Sequence, residues 1–424
     1  MVDADQTFVI VGGGLAGAKA AETLREEGFT GRVILIGDER DHPYERPPLS
    51  KGFLQGKEDR EKAFVHELAW YASHDIELHL GQTVTAIDRA AKTVRLGDST
   101  TISYDKLLLA TGAEPRRLDI PGTDLVGVHH LRRLAHAERL KNVLAALGRD
   151  NGHLVIAGAG WIGLEVAAAA REYGAEVTVV EAEATPLHAV LGPEVGQIFT
   201  ELHSDHGVRF HFGARLTEIS GQDGMVLAAH TDDGEEHPAH DVLAAIGAAP
   251  RTGLAEAAGL TLAAREHGGG IAVDASLRTS DPDVHAAGDV ASLQHPPFSP
   301  ALGSLRVEHW ANALNGGPAA ARAMLGKDAP YDRVPYFFSD QYDLGLEYSG
   351  WAPPGSYDQV VIRGNAGKRE FIAFWLNDGR VLAGMNVNVW DVTEQIQQLI
   401  RSGARPDTER LSDPTVPLGD LVEG

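Results

Sequence analysis

The chain has 424 residues, which is too long for one ordinary hydrophobic core and predicts two or three domains. Its 60 acidic and 37 basic side chains give a formal charge of −23, which opposes binding to nucleic acid or to an anionic membrane surface. The chain contains no cysteine, which excludes disulfides, thiolate nucleophiles and cysteine-held iron–sulfur centres, so any redox chemistry needs a bound cofactor.

Membrane, secretion and metal functions are also not indicated. No run of about eighteen apolar residues occurs, and the start Met1–Gln6 is short and acidic instead of basic and then apolar. A cytoplasmic protein is therefore expected. The 19 histidines show no metal-ligand spacing beyond His203 and His206, which are expected on a polar helix face, so no metal site is predicted.

The first elements read as strand, glycine turn, helix and strand. Thr7–Val11 is a β-branched and aromatic run, and the glycine turn Gly12–Gly17 follows at once. Ala18–Glu27 has helical periodicity, and Arg32–Ile36 is a second apolar run. This order predicts a βαβ unit.

The glycine spacing predicts a dinucleotide-binding turn. Gly12 allows the tight turn, Gly14 lets the backbone approach a pyrophosphate, and Gly17 lets helix and strand pack closely. The helix N-terminus then faces the phosphates with its free N–H groups. Asp38, with Glu39 beside it, has the position for accepting hydrogen bonds from ribose hydroxyls.

The same pattern returns in the middle of the chain. His153–Ala157 reads as a strand, Gly158–Gly163 as the turn and Leu164–Tyr173 as the helix. The next strand is Glu176–Val180, and it ends at the acid Glu181. A carboxylate at Glu181 favours the free ribose 2′-hydroxyl of NAD(H) and repels the 2′-phosphate of NADP(H). Thr185 and Ala189 stand where an arginine would be needed to bind that phosphate, so NADH is the predicted donor.

Two dinucleotide turns in one chain indicate a resident cofactor and an exchangeable one, as in a flavoprotein reductase. Two interchangeable NAD sites would have no chemistry to perform. Buried strands are predicted at Leu107–Leu109 and Val242–Ile246, each running into a glycine turn. After about residue 330, strand-like runs broken by Gly, Pro and Asn predict an antiparallel sheet, followed by a helix over Asp391–Ser402.

Ordered motifs then point to a family. They are Arg46–Lys51, Ala110–Gly112, the second glycine turn with Glu165, Ala287–Val290, Arg306–Trp310 and Phe338–Tyr342. The chain resembles the FAD-dependent ferredoxin reductases of the putidaredoxin-reductase and biphenyl-dioxygenase ferredoxin-reductase type, in the superfamily that includes apoptosis-inducing factor. The resemblance implies an α/β fold with two Rossmann-like, glutathione-reductase-like domains and a C-terminal α+β domain with an antiparallel sheet. The implied domains are FAD-binding (1–118 and 247–328), NAD-binding (119–246) and C-terminal (329–424).

The resemblance also implies FAD at the first turn and NADH as substrate at the second. The implied FAD-contacting positions are Gly12, Gly14, Ala16, Gly17, Asp38, Glu39, Arg46, Lys51, Val84, Ala110, Thr111, Gly112, Arg132, Asp289, Val307 and Trp310. The implied NAD positions are Gly158, Gly160, Gly163, Glu181 and Gly247. Lys51 and Glu165 are expected to form an ion pair near the flavin N5 and to act in catalysis by tuning the flavin.

Three departures from the family pattern bear on the site. The sister disulfide reductases carry a Cys pair where this chain has Pro47–Lys51, so a dithiol relay is excluded. Trp161 stands where the ferredoxin reductases usually have Tyr, and Arg251 stands where Asn is common.

The predicted function is NADH-dependent reduction, through FAD, of a ferredoxin or similar one-electron carrier that serves an oxygenase system. The alternatives are a rubredoxin reductase, an NADH oxidase or redox-sensing flavoprotein resembling apoptosis-inducing factor, and a non-catalytic nucleotide-binding interaction protein. A monomer or homodimer is expected. Ferredoxins are commonly acidic, so a local basic surface is needed for steering, and the candidates are Arg116, Arg117, Arg132, Arg133 and Arg306.

Overall fold

The computed structural model of the chain describes residues 5–296, 303–327 and 330–422. The chain divides into two compact units, each built from separate stretches of sequence. The first unit comprises Met1–Glu45, Arg60–Glu114 and Ala249–Pro335, and the second comprises Arg46–Asp59, Pro115–Ala248 and Tyr336–Gly424. The predicted NAD-binding range and most of the predicted C-terminal range fall in the second unit, and the division into three domains stays a prediction.

The first unit is centred on a parallel β-sheet. Its strands lie in the order Val284–Ala286, Lys106–Leu109, Thr7–Val11, Arg32–Gly37 and Ile76–Leu80. Val9, Ile10 and Leu108 are fully buried, as expected for strands that are covered on both faces. The smaller sheets are Val84–Asp88 with Thr93–Leu96 and Thr101–Ser103, and Ile271–Val273 with Ala291–Gln294 and Ser304–Arg306.

The helices of the first unit are Leu15–Glu26, Leu68–Ser73, Gly253–Ala257 and Trp310–Met324. The first helix begins inside the glycine turn, earlier than the predicted start at Ala18, because Gly14 is its N-cap. Its backbone packs directly against the backbone of Trp310–Met324, because a Cβ on Gly317 would lie 2.2 Å from the carbonyl oxygen of Ala16. Gly317 therefore brings the two helices together at the turn.

The second unit repeats the parallel arrangement. The strand order is Val208–Phe212, Glu176–Glu181, His153–Ala157, Asp241–Ala244 and Val128–His129. A small antiparallel sheet contains Leu216–Gln222, Met225–Thr231 and Glu236–Pro238, and the helices are Leu134–Asp150, Trp161–Tyr173 and His188–Asp205. The last of these helices is kinked at Gly192, which has a φ of 76° and precedes Pro193. The short strands Ala113–Pro115 and Ala248–Pro250, which pair with each other, lie where the chain passes from one unit into the other.

The C-terminal part of the second unit is an antiparallel sheet with a helix against it. The strand order is Tyr336–Gln341, Leu344–Gly350, Arg380–Val387, Glu370–Asn377 and Gln359–Asn365, and the helices are Thr393–Ser402 and Thr408–Ser412. The predicted helix start at Asp391 is wrong, because Asp391 has a left-handed φ of 61° and the helix begins at Thr393. In the described parts of the chain, no helix is both long and apolar enough to cross a bilayer.

These observations confirm the predicted fold class. Two parallel sheets, each with a glycine turn that joins its central strand to the following helix, are the Rossmann-like elements, and the C-terminal sheet is antiparallel as predicted.

Candidate functional site

The first glycine turn requires glycine for steric reasons. Gly12 has a φ of +132°, and a Cβ there would lie 2.0 Å from the carbonyl oxygen of Ala110. A Cβ on Gly17 would lie 2.1 Å from the carbonyl oxygen of Gly12. Both positions are closed by the protein itself, so glycine is needed for the turn to form at all.

Gly14 differs from its neighbours because its missing side chain leaves open space. A Cβ there would meet no heavy atom within 4 Å. Gly14 is also the N-cap of the helix Leu15–Glu26, and glycine offers no side chain to satisfy the first N–H groups. Open space in front of a helix N-terminus fits the approach of a pyrophosphate.

A cavity of 480 Å³ opens beside this turn. Its lining includes Gly12, Asp38, Val84 and Thr111, four of the positions predicted to contact FAD. The cavity therefore joins the first glycine of the turn to the carboxylate of Asp38, and this lining fits the adenosine ribose of a dinucleotide bound at the turn. Glu39 accepts a hydrogen bond from the Tyr44 hydroxyl at 2.5 Å.

Arg251 also lines this cavity, and sequence reasoning noted it only as a departure. Its Nη2 lies 3.0 Å from Oδ2 of Asp38. Its backbone is fixed as well: the N–H donates to the Gly112 carbonyl at 2.9 Å, and its carbonyl accepts from the Thr111 hydroxyl at 2.9 Å. The arginine is therefore held in place and offsets the charge of the acid predicted to bind ribose.

Three further residues predicted to contact FAD, Asp289, Val307 and Trp310, lie at or near the start of the helix Trp310–Met324. The Trp310 indole donates to Glu45 Oε2 at 2.8 Å, and the Val307 carbonyl accepts from Asn312 at 2.9 Å. Asp289 lies in a short 3₁₀ turn. Burial lowers the pKa of His309 to about 4, against the opposing effect of Asp289.

The guanidinium of Arg306 makes an ion pair and hydrogen bonds within the protein. Only 8% of its side chain is exposed, and it pairs with Glu308. It also donates to the carbonyl oxygens of Gly268 at 2.6 Å and Asp289 at 3.0 Å. The prediction of Arg306 as a steering residue for a partner is therefore wrong, because the residue supports the backbone beside Asp289 instead of facing solvent.

The second glycine turn has the same stereochemistry as the first. Gly158 has a φ of +99°, and its Cβ would lie 2.6 Å from the Ala245 carbonyl oxygen. A Cβ on Gly163 would lie 2.2 Å from the Gly158 carbonyl oxygen, whereas a Cβ on Gly160 would meet nothing within 4 Å. The helix begins at Trp161 and not at the predicted Leu164, because Gly160 is its N-cap. This turn is therefore also open at its middle glycine.

Glu181 lies at the end of the strand next to this turn. Its Oε2 accepts the Ala159 backbone N–H at 2.6 Å, and its Oε1 accepts the Glu183 N–H at 3.0 Å. An ionised carboxylate has lone pairs for further bonds, so these contacts leave acceptor capacity for a ribose. Gly247 has a φ of +93°, and its carbonyl accepts the Arg116 N–H at 2.9 Å.

The predicted ion pair between Lys51 and Glu165 is present in the second unit. Lys51 Nζ lies 2.5 Å from Glu165 Oε1, and both side chains are largely buried. Glu165 Oε2 accepts the Ser50 hydroxyl at 2.5 Å, and Oε1 accepts the Ser339 hydroxyl at 2.6 Å. Lys51 also lies 5.4 Å from the centroid of the Phe338 ring, within cation–π range.

Three further features belong to this part of the second unit. Burial raises the pKa of Asp340, and the Glu165 charge adds to that effect while Lys51 opposes it. The Arg46 guanidinium donates to the backbone carbonyl of Arg132, so these two predicted FAD residues are in contact. Trp161 packs edge-on against Phe337, with ring centroids 4.7 Å apart.

Sequence reasoning missed the hydroxyl groups around Glu165 and misplaced one histidine. His203 is not on a polar helix face: it is completely buried, because its Nε2 is hydrogen-bonded to Gln341 Oε1 at 2.8 Å. Ser339 and Gln341 lie in the motif Phe338–Tyr342, but the motif alone assigns no role to these polar side chains. Among the described residues, no group of three or more potential ligands is arranged to hold a metal ion.

Comparison with known proteins assigns the family. The model of the pyridine nucleotide-disulphide oxidoreductase family matches residues 6–317, and a reductase C-terminal model matches residues 336–422. The chain belongs to the pyridine nucleotide-disulphide oxidoreductase family. This result confirms the predicted class of FAD-dependent oxidoreductase and its predicted cofactors, FAD and NAD(H).

Particular relatives narrow the likeness to ferredoxin reductases. The chain is 39% identical to a probable ferredoxin reductase, CtmF, of Castellaniella defragrans, over 99% of this chain and 100% of that one. It is 40% identical to the ferredoxin–NAD(+) reductase component of the anthranilate 1,2-dioxygenase system of Burkholderia cepacia, over 97% of this chain and 98% of that one. A solved covalent complex of putidaredoxin reductase with putidaredoxin matches with a TM-score of 0.92 and 34% identity, over 99% of both chains. The resemblance drawn from the sequence motifs is confirmed.

Proposed function

We propose that the protein is an NADH:ferredoxin oxidoreductase that passes electrons from NADH through FAD to a ferredoxin or a similar iron–sulfur carrier of an oxygenase system. The observation that carries this proposal is the pair of matching glycine turns, each with open space at the second glycine of its motif, Gly14 or Gly160, in a chain without cysteine. One turn suits a resident dinucleotide and the other an exchangeable one. The named relatives favour a ferredoxin reductase over an NADH oxidase or a redox sensor.

Each residue group then has a defined task. Gly12, Gly14 and Gly17 would admit the FAD pyrophosphate, and Asp38 would bind the adenosine ribose. When bound, FAD supplies the step from a two-electron donor to single-electron delivery. The chain's own residues would bind the two dinucleotides, orient them towards each other and exclude water. Hydride transfer itself needs no acid or base.

NADH would bind at the second turn. Gly160 would admit the NADH pyrophosphate, and Glu181 would accept hydrogen bonds from the adenosine ribose while disfavouring a 2′-phosphate. The buried Lys51–Glu165 pair would place a positive charge, balanced by a carboxylate, beside the flavin. The position of this pair relative to the flavin is carried over from the family resemblance.

The partner would be recognised by local charge, because the chain is acidic overall. Arg116 and Arg117 are exposed, and Arg132 and Arg133 are half-buried. All four belong to the second unit and are the proposed steering set. Reversing the charge of the exposed pair with Arg116→Glu and Arg117→Glu should slow ferredoxin reduction at low salt and leave NADH-dependent flavin reduction unchanged.

The oligomeric state and the cytoplasmic location stay predictions.

The test is an anaerobic titration of the purified yellow protein with NADH and, separately, with NADPH. We expect NADH to bleach the flavin absorbance and NADPH to do so far less well. A following mix with a ferredoxin should restore the flavin spectrum rapidly. A colourless protein that stays inert towards NADH after FAD is added would contradict the proposal, and rapid reoxidation by rubredoxin alone would reassign the partner.

A further inference from the structure

A buried histidine in the second unit has no task in either glycine turn. His203 lies on the helix His188–Asp205 and is fully buried, as is Gln341, and Ser339 is 1% exposed. The Gln341 amide nitrogen lies 3.1 Å from Ser339 Oγ, and that hydroxyl lies 2.6 Å from Glu165 Oε1. His203 is thus joined by hydrogen bonds to the carboxylate that pairs with Lys51.

The direction of every bond in this chain can be worked out from the carboxylate. Glu165 receives Lys51 and two hydroxyl groups, so its oxygens only accept. Ser339 therefore donates its single proton to Glu165 and must accept from Gln341. The Gln341 amide presents its NH₂ to Ser339 and its oxygen to His203.

The same reasoning determines the tautomer of the imidazole. An amide oxygen only accepts, so His203 must carry a proton on Nε2, 2.8 Å from Gln341 Oε1. Burial lowers the pKa of His203 to about 4, so the ring is neutral near pH 7 and Nδ1 carries no proton. Nδ1 then accepts from the Tyr342 hydroxyl, 3.4 Å away. All donors in the chain point towards Glu165.

We propose that His203 is a positioning residue which, through Gln341 and Ser339, holds a one-directional chain of hydrogen-bond donors that ends on Glu165 and keeps this carboxylate directed at Lys51. Aligned hydrogen bonds polarise one another in a buried setting, so the end of the chain responds to changes at its start. The effect on electron transfer rests on the proposed function, whereas the chain itself does not.

The first test is a measurement of the imidazole by NMR on the FAD-loaded, full-length protein labelled with ¹⁵N-histidine. His203 signals are identified by their loss in His203→Gln. At pH 7 we expect a neutral ring with its proton on Nε2. Ser339→Ala and Glu165→Gln should each shift both ring nitrogens, whereas Glu172→Gln, on the same helix as Glu165 but paired with Lys57, should leave them unchanged.

The second test compares two replacements of His203. His203→Gln keeps a donor towards Gln341, and His203→Leu does not. We expect His203→Leu to slow NADH reduction of the flavin roughly fivefold, the equivalent of one neutral hydrogen bond, and His203→Gln to retain most of the rate.

Several results would overturn the inference. They are a proton on Nδ1, a charged ring at pH 7, spectra of Ser339→Ala and Glu165→Gln that both superimpose on the wild type, or equal rates in the two His203 variants. A protein that binds no flavin, or is not reduced by NADH, would defeat the proposed function but leave the NMR result standing.

Discussion

The substitution Gly160→Ala should affect NADH binding without lowering the stability of the folded protein. The added Cβ would meet no heavy atom within 4 Å, and the backbone φ of −78° and ψ of −176° suit any residue. The folded chain therefore accepts the change, and the free energy of unfolding should stay the same or rise by about 0.4–1 kcal/mol, because alanine restricts the unfolded state. The open space is, however, where we place the NADH pyrophosphate.

The loss of NADH affinity follows from the contacts that the methyl group would block. A hydrogen bond from a backbone N–H to a charged phosphate contributes about 1.5–3 kcal/mol, so losing one bond should raise the half-saturating NADH concentration about 10- to 150-fold. Stopped-flow bleaching of the flavin over a range of NADH concentrations measures this value directly. The FAD content should stay at the wild-type level, because the change is at the second turn.

Gly163→Ala is the matched control. Its Cβ would lie 2.2 Å from the Gly158 carbonyl oxygen, so it should lower the free energy of unfolding by about 1–3 kcal/mol. An unchanged NADH dependence in Gly160→Ala would refute the assignment of this turn. A loss of stability in Gly160→Ala as large as in Gly163→Ala would refute the stereochemical argument.

Three further predictions follow from the same structure. Lys51→Met removes one partner of a buried pair and should slow flavin reduction by NADH, shift the flavin midpoint potential and lower the unfolding free energy by about 3 kcal/mol, whereas Lys57→Met, 60% exposed, should change none of these. Glu181→Gln removes the charge that repels a 2′-phosphate, so the NADH-to-NADPH ratio of kcat/KM should fall about tenfold, and an unchanged ratio would exclude this residue as the selector. The pKa of His203 is about 4 when folded, against an ordinary value of 6.5, so its stabilisation is present above pH 6.5 and is lost as pH falls towards 4. Denaturant unfolding between pH 7 and 4.5 should therefore show a steeper fall for the wild type than for His203→Gln, and parallel curves would contradict this assignment.

The sequence predicted correctly those features that depend on the stereochemistry of neighbouring residues. The glycine turns, the strands before them and the acid after each turn depend on residues close in sequence, and Gly12 and Gly158 need left-handed φ values whatever surrounds them. The two helices that follow the glycine turns were predicted to start too late, because an N-cap glycine inside the turn resembles a loop residue in the sequence. The family resemblance supplied the Lys51–Glu165 pair, since no spacing rule links residues so far apart in the chain.

The two wrongly predicted side chains, His203 and Arg306, have partners that are distant in sequence. His203 reads as a polar residue on a helix surface, but its partner Gln341 lies 138 positions away and allows it to be buried. Arg306 reads as a free cation, but carbonyl groups of Gly268 and Asp289 occupy its guanidinium. A buried polar residue is tolerated only when its hydrogen bonds are satisfied, and this condition is visible only in three dimensions.

The position of Ser339 in the C-terminal sheet constrains how this protein can evolve. Its hydroxyl reaches Glu165 from the first strand of the C-terminal sheet, Tyr336–Gln341. A descendant that exchanged this sheet for another terminal module would keep both glycine turns but lose one of the donors around its buried carboxylate. Recombination at this border would therefore perturb the Lys51–Glu165 pair, so the terminal module and the residues it supports are expected to be inherited together.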